Sequence, residues 1–394
     1  MRPSRFAEEL IRKGLWPSVT ADVGRLQRVS CGEMLSGGEE PHQGANRMLC
    51  TGWPQVTGNL ASTRRSAEQF LDGSHGIFGA LSRKNWFARW TSIGDAHCLV
   101  GRSNIENGAF EEATEAWLCA LTAFEVAKRL ADGADSQSAD VSAKVEASIQ
   151  RFGSLEPKVE RIQIAYCDQA KLHAYYLPAG APDVSAPAVI CISAEEETEA
   201  TLLSRLLPAV IGRRMSVLVV SHDDVSNRWR GQAELFLSCC LDYLSARPDI
   251  DATRIGIYGE GLSAGLATDF AIFDRRVAAA VCDGGLWNWA RTHASVGWMT
   301  KTADVLDENV VSMRRSQLVR QLKCPVLVVA GGRGIVSVPE AIKLEADCTA
   351  ARIDLELAMP RTIQTQVGEF ENFIASDEYI FGWLDRKLAR GSAP

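Results

Sequence analysis

The sequence predicts an α/β protein: a mostly parallel sheet with helices on both faces, preceded by a helical domain. Three observations carry this. Short continuous apolar runs at 188–192, 216–220, 254–258, 277–282 and 326–330 alternate with helical segments, and unbroken apolar strands are those covered on both faces. After Leu155 the apolar period changes from 3.6 to 2, which marks the passage from helices to strands. Around residue 260 a β-branched run reaches a glycine, turns sharply and enters an apolar helical segment, Leu266 to Phe273.

Composition narrows the class. A chain of 394 residues is long enough for two domains, or for one domain with a large appendage. A formal charge of −7, without a long basic run, argues against nucleic acid or an anionic membrane as partner. The first residues, Met1-Arg-Pro-Ser-Arg5, carry positive charge, but no apolar core of a secretory signal follows them. No apolar run approaches the ~18 residues of a membrane-spanning helix. The expectation is a cytoplasmic protein with no membrane partner. Eleven cysteines are scattered, with Cys239–Cys240 the one close pair and no C-x-x-C. That favours small buried apolar residues in a reducing compartment over disulfides or zinc.

Taken in order, residues 1–76 form an irregular extension with a helical opening, Phe6 to Leu15. Residues 77–155 read as a helical, cap-like domain. Trp86 and Trp90 stand at i, i+4, and Gly94, His97 and Cys98 continue that face. After the break at Asn107-Gly108, a second helix runs from Phe110 to Arg129 and a third from Asp140 to Phe152. The tryptophans read either as core between antiparallel helices or as walls of a pocket for a flat ligand. Residues 156–394 form the sheet domain. It opens with a β-hairpin, Arg161–Tyr166 and Lys171–Leu177, whose residues alternate apolar and polar.

The turn after Arg254-Ile-Gly-Ile-Tyr258 decides the chemistry. A strand–turn–helix of this kind lifts a nucleophilic serine above a parallel sheet when serine stands at its tip. If Gly259 opens the turn, the tip is Gly261, and Ser263 lies one step inside the helix. A shifted frame, Gly261-Leu-Ser263-Ala-Gly265, also spells G-x-S-x-G. The spacing from Arg254 to Gly259 favours the first frame.

Several motifs now occur in a family order: Trp90-Thr-Ser-Ile-Gly-Asp95, the helix around 116–124, the Arg161 hairpin, Asp242-Tyr-Leu-Ser-Ala-Arg-Pro-Asp249, Asp251-Ala-Thr-Arg-Ile-Gly-Ile-Tyr-Gly259 and Asp283-Gly-Gly-Leu-Trp-Asn-Trp289. Over residues 77–390 the chain resembles α/β-hydrolases with an N-terminal helical domain. This is the group of the fermentation-respiration switch protein, with 2,6-dihydroxypseudooxynicotine hydrolase and fungal polyketide-shortening hydrolases among its relatives. The resemblance implies an α/β-hydrolase fold, a small-molecule substrate in a cavity shaped by the helices, and a homodimer. It also implies cleavage of C–C bonds or esters by Ser, Asp and His. Carried over residue by residue, the serine's place is Gly261. The acid's place, in Gly331-Gly-Arg333-Gly334, is Gly334. No histidine stands around 355–364; all six (His42, His75, His97, His173, His222, His293) lie upstream. A serine hydrolase needs a base within reach of its nucleophile and an acid to orient that base.

Other residues at the expected carboxyl edge of the sheet compete for roles. The loop Ser193-Ala-Glu195-Glu196-Glu197-Thr-Glu199 lies where a backbone N–H would meet a developing oxyanion. Its acids either open the next helix or make that site acidic. His222, with Asp223 and Asp224, reads as a surface loop or as a general base. Asp283 reads as a cap or as a pocket acid, with Trp287 and Trp289 beside it, and Glu260 faces either cavity or solvent. His293 reads as a helix-surface residue. No metal-ligand spacing or nucleotide-binding glycine motif appears, so no metal or cofactor is expected.

The resulting expectation is a fold without its Ser-Asp-His triad, acting as a non-hydrolytic enzyme on a polyketide-like or aromatic molecule in biosynthesis. Its reaction would be cyclisation, rearrangement, addition or elimination. His222, Asp283 and Glu260 are the catalytic candidates; Gly261, Ser263, Trp287, Trp289 and Asp223 would line the substrate site, with Gly334 nearby. A residual hydrolase using Ser263 and an inactive ligand-binding or scaffold protein are the alternatives.

Overall fold

Apolar residues alternating along the strands put two hydrophobic layers on opposite faces of one sheet. In strand β5 (Ile250–Glu260), Tyr258 belongs to one core and Ile255 and Ile257 to the other. In β3 (Ala186–Ile192), Val189 and Cys191 oppose Ala188, Ile190 and Ile192 in the same way. The computed structural model describes residues 58–73, 80–131, 136–155, 159–166, 170–180, 185–195, 197–226, 233–284, 321–330, 338–360, 362–365 and 368–389. The helical opening expected at 6–15 falls outside them, as does the rest of the extension before residue 58.

Four helices come first: α1 (Leu60–Gly73), α2 (Ala80–Glu106), α3 (Phe110–Leu130) and α4 (Ser136–Phe152). Helix α3 is nearly all buried, from Ala113 to Leu130. Glu111 and Glu112 in its first turn and Lys128 and Arg129 in its last complement the helix dipole. Helix α2 packs closely along it because Gly94 faces Phe124: a Cβ at Gly94 would lie 2.3 Å from the ring. Trp90 and Trp117 are fully buried core residues, and Trp86 stacks obliquely on Phe70, with ring centroids 4.9 Å apart.

The hairpin of β1 (Glu160–Tyr166) and β2 (Ala170–Leu177) then leads into the sheet. The remaining strands are β4 (Ser216–Val220), β6 (Val277–Asp283), β7 (Val326–Val329) and β8 (Leu355–Ala358). Among the described residues the sheet has eight strands in the order β1-β2-β4-β3-β5-β6-β7-β8. It is antiparallel across β1, β2 and β4 and parallel from β4 onward. β5 extends beyond the 254–258 run at both ends, since Ile250 pairs with Ala186 and Glu260 with Asp283. A small second sheet, β9 (Thr362–Thr365) with β10 (Gly368–Glu371), fills the segment after β8.

One face of the sheet is covered by α5 (Glu199–Val210) and α10 (Phe373–Lys387), and the core there continues into α2, α3 and α4. The other carries α7 (Ala233–Ser245), α8 (Ser263–Phe273) and α9 (Val338–Ala350). Each buried Leu, Ile or Val contributes on the order of 1.5–3 kcal/mol relative to exposure, so two continuous layers hold the strand ends rigidly in register. A short helix, α6 (His222–Ser226), follows β4 directly. The described cysteines are free and, apart from Cys239, buried. Burial pushes the Cys282 thiol up to about 12 and those of Cys119, Cys324 and Cys348 up to about 11, so they act as small apolar residues.

Candidate active site

The β5–α8 turn is forced by glycine. A Cβ at Gly259 would lie 2.1 Å from the Ser263 carbonyl oxygen, so only glycine lets strand and helix approach this closely. Gly261 takes the left-handed conformation, with φ +62°, and its N–H donates to the Asp283 carbonyl at 2.8 Å. Leu262 is already helical (φ −67°, ψ −26°), and α8 begins at Ser263. The apex of the turn is therefore Gly261, in the frame set by Gly259.

Ser263 is fully buried. Its Oγ donates to the Ser193 carbonyl at 2.7 Å and lies 2.7 Å from Nδ1 of His222. A carbonyl can only accept, so the hydroxyl proton is committed to Ser193 and Nδ1 of His222 supplies the proton of the second bond. The main chain of His222 is held as well: its backbone N–H donates to Ser193 Oγ at 3.1 Å, and that hydroxyl donates to the Glu197 carbonyl at 2.7 Å. Burial lowers the pKa of His222, opposed by the charges of Glu195 and Asp223. The ring is thus a neutral imidazole with its Nε2 lone pair directed away from Ser263.

Glu195 stands over the apex. Its Oε2 accepts the Leu262 N–H at 3.2 Å and lies 3.1 Å from where a Cβ on Gly261 would be. The neighbouring acids do different work. Thr198 is the N-cap of α5, and Glu199 occupies its first turn. Glu197 pairs with Lys128 of α3 at 2.6 Å, tying the helical layer to the β3–α5 loop. So Glu199 fits the helix-opening reading, whereas Glu195 turns back to the elbow.

Glu260 and Asp283 lie in another grouping, inside the core. Arg205 of α5 pairs with Glu260 and with Asp377 of α10, each at 2.5 Å. The Tyr258 hydroxyl sits 3.1 Å from Arg205, 3.2 Å from Glu260 and 3.1 Å from Asp283. All five residues are buried, with Asp283 and Tyr258 at 0% exposure. Glu260 therefore faces neither open solvent nor Ser263; it is bound to Arg205. His222 and Ser263 are brought together, while Glu260 and Asp283 are joined to each other through Tyr258. Asp223 is exposed in α6. Trp287, Trp289, His293 and Gly334 lie outside the described residues. β8 is Leu355–Ala358 and runs into the small β9–β10 hairpin, a stretch without histidine. Among the described residues no cluster of His, Cys, Asp and Glu could hold a metal ion, and no helix is long and apolar enough to cross a membrane.

Sequence reasoning did not foresee the His222–Ser263 bond or the part played by Arg205. Arg205 did leave a signal: it is a lone charge within the apolar run Leu202–Val210, and a charge in such a run needs buried partners.

No protein-family model matches the sequence, and no curated protein sequence matches it. Solved structures do match. The crystal structure of 2,6-dihydroxy-pseudo-oxynicotine hydrolase aligns with a TM-score of 0.54 at 19% identity, over 82% of this chain and 96% of that one. Acylaminoacyl peptidase of Pyrococcus horikoshii aligns at 0.43 and 14% identity, over 60% of this chain and 43% of the peptidase. An esterase of Pyrococcus furiosus gives 0.42 and 14%, over 59% of this chain and 91% of the esterase. With the strand order above, the first of these likenesses defines the class: the protein has the α/β-hydrolase fold.

Proposed function

We propose that this is an α/β-hydrolase-fold protein without the Ser-Asp-His triad that works as a non-hydrolytic enzyme on a polyketide-like or aromatic small molecule. The observation that carries this reading is the elbow apex, a left-handed glycine with no side chain to attack a substrate. The chemistry left to such a site is proton transfer and positioning, as in cyclisation, rearrangement, addition or elimination. His222 is its base: buried, neutral and held through Nδ1, it offers Nε2 to a substrate proton. Asp283 and Glu260 support the floor of the site from within rather than touching substrate. The family resemblance of the motifs supports the substrate class and a homodimer.

A second reading, residual hydrolysis by Ser263, draws on the 2.7 Å contact with His222. The direction of the protons opposes it, because His222 donates to Ser263 and has no lone pair there to accept its proton.

The test is to incubate the protein with small-molecule extract from its source and follow masses. Rearranged or cyclised products keep the substrate mass, elimination subtracts the leaving group and addition gives one product heavier by the added molecule. Hydrolysis instead gives two fragments whose masses sum to the substrate plus one water. With a substrate in hand, His222→Asn should lower turnover by about 10²- to 10⁴-fold. Paired cleavage fragments that together gain one water and vanish in Ser263→Ala would contradict the proposal.

A further inference from the structure

We infer that Glu195 fills the place where an acyl hydrolase receives its substrate's oxyanion, so that this elbow binds a proton-donating group, a protonated amine, instead of an acyl oxygen. The inference rests on the nucleophile-free elbow proposed above. In this fold the oxyanion is held by the N–H of the residue after the nucleophile, together with an N–H from the loop after β3. Here the residue after the apex is Leu262, and its N–H already has an anionic partner, Glu195 Oε2 at 3.2 Å. Glu195 comes from the loop after β3, so the loop that would supply a donor supplies an acceptor.

The same oxygen lies 3.1 Å from the Cβ position of Gly261. A serine there would have to share with the carboxylate the space that its own Oγ and an acyl carbon require. The missing side chain at 261 and the carboxylate from 195 are thus two halves of one arrangement.

The carboxylate is also placed rather than stray. Its loop is pinned at Glu197 by Lys128 at 2.6 Å and by the Ser193 hydroxyl at 2.7 Å. His222, 6% exposed, lies close enough for the Glu195 charge to act on its ring. Among the described residues no Lys or Arg pairs with Glu195, so its charge is directed to whatever enters the site. An incoming acyl oxyanion meets like charge at the one N–H that would stabilise it, whereas an ammonium group meets a charge-assisted acceptor.

The experiment uses the full chain, isotope-labelled so that the Leu262 amide and the His222 ring can be followed by NMR, with benzylamine and acetate as probes. In the wild type, benzylamine should shift both signals saturably and acetate should shift neither. In Glu195→Ala the vacated place should admit acetate, with a saturable shift at Leu262, and benzylamine should lose its effect. Glu195→Gln, which keeps the shape without the charge, should weaken benzylamine about tenfold or more and still exclude acetate; it also serves should the alanine variant fail to fold. The inference is overturned if benzylamine leaves wild-type Leu262 unmoved. It is equally overturned if acetate acts alike on the wild type and Glu195→Ala, or on neither. A covalent serine adduct would remove the nucleophile-free reading while leaving these binding outcomes as they are, so the two failures can be told apart.

Discussion

Two polar groupings meet at the carboxyl end of β5, and they differ in how their charges are answered. Around Arg205, a buried guanidinium lies against Glu260 and Asp377, and Tyr258 extends the grouping to Asp283. Around Gly261, the carboxylate of Glu195 meets a backbone N–H and, among the described residues, no cation. The first grouping is internal: Arg205 answers Glu260 and Asp377 within the core, where an ion without a counter-charge is very costly. The second is open, with a partly buried acid and an imidazole whose Nε2 is left for a ligand. Titratable groups at a strand's carboxyl end are therefore not equivalent: Glu260 is tied to a buried cation, whereas Glu195 is tied to a backbone N–H.

The largest expected effect breaks the internal grouping. Arg205→Met removes the cation and leaves buried carboxylates behind, which should cost about 3–5 kcal/mol of unfolding free energy. Glu195→Gln, in the open grouping, should cost under about 1 kcal/mol. Urea unfolding of both variants checks the contrast, and equal losses would erase the distinction. Next in size is Gly259→Ala, whose Cβ would strike the Ser263 carbonyl; a loss of about 2–3 kcal/mol is expected. Gly261→Ser imposes a side chain on a left-handed residue and should cost about 1–2 kcal/mol without yielding esterase activity. Strong ester turnover by that variant would mean that a base is already aimed at the apex.

The smallest effect is a pH dependence. Burial lowers the pKa of both His222 and His97. The unfolded chain then takes up their protons first as pH falls, so their contribution to stability is complete above about 6.5. It is lost as pH descends from there through the folded-state values. In His222→Asn the fall in stability below that pH should be shallower than in the wild type. An unchanged slope would show that the ring is not held neutral.

Much of this arrangement was legible in the sequence. The apolar runs at 188–192, 216–220 and 277–282 gave strands within a residue or two, because strands buried on both faces leave little ambiguity. The Gly259–Gly261 frame was legible because spacing and glycine sterics are local. What was not legible depends on side chains meeting across the fold. Ser263 and His222 stand 41 residues apart, and Arg205 and Asp377 stand 172 apart. Glu195 could be read as an acid near the oxyanion region, but not as one bonded to Leu262, since Glu195, Glu196 and Glu197 look alike in sequence. Only the packing distinguishes Glu195 from Glu197.

The central claim, that no activated nucleophile stands at this elbow, is tested most directly by intact-mass analysis after treatment with a fluorophosphonate. The account predicts unmodified protein, because Gly261 offers no side chain and the Ser263 hydroxyl is buried and committed to the Ser193 carbonyl. One stoichiometric adduct, absent from Ser263→Ala, would contradict it.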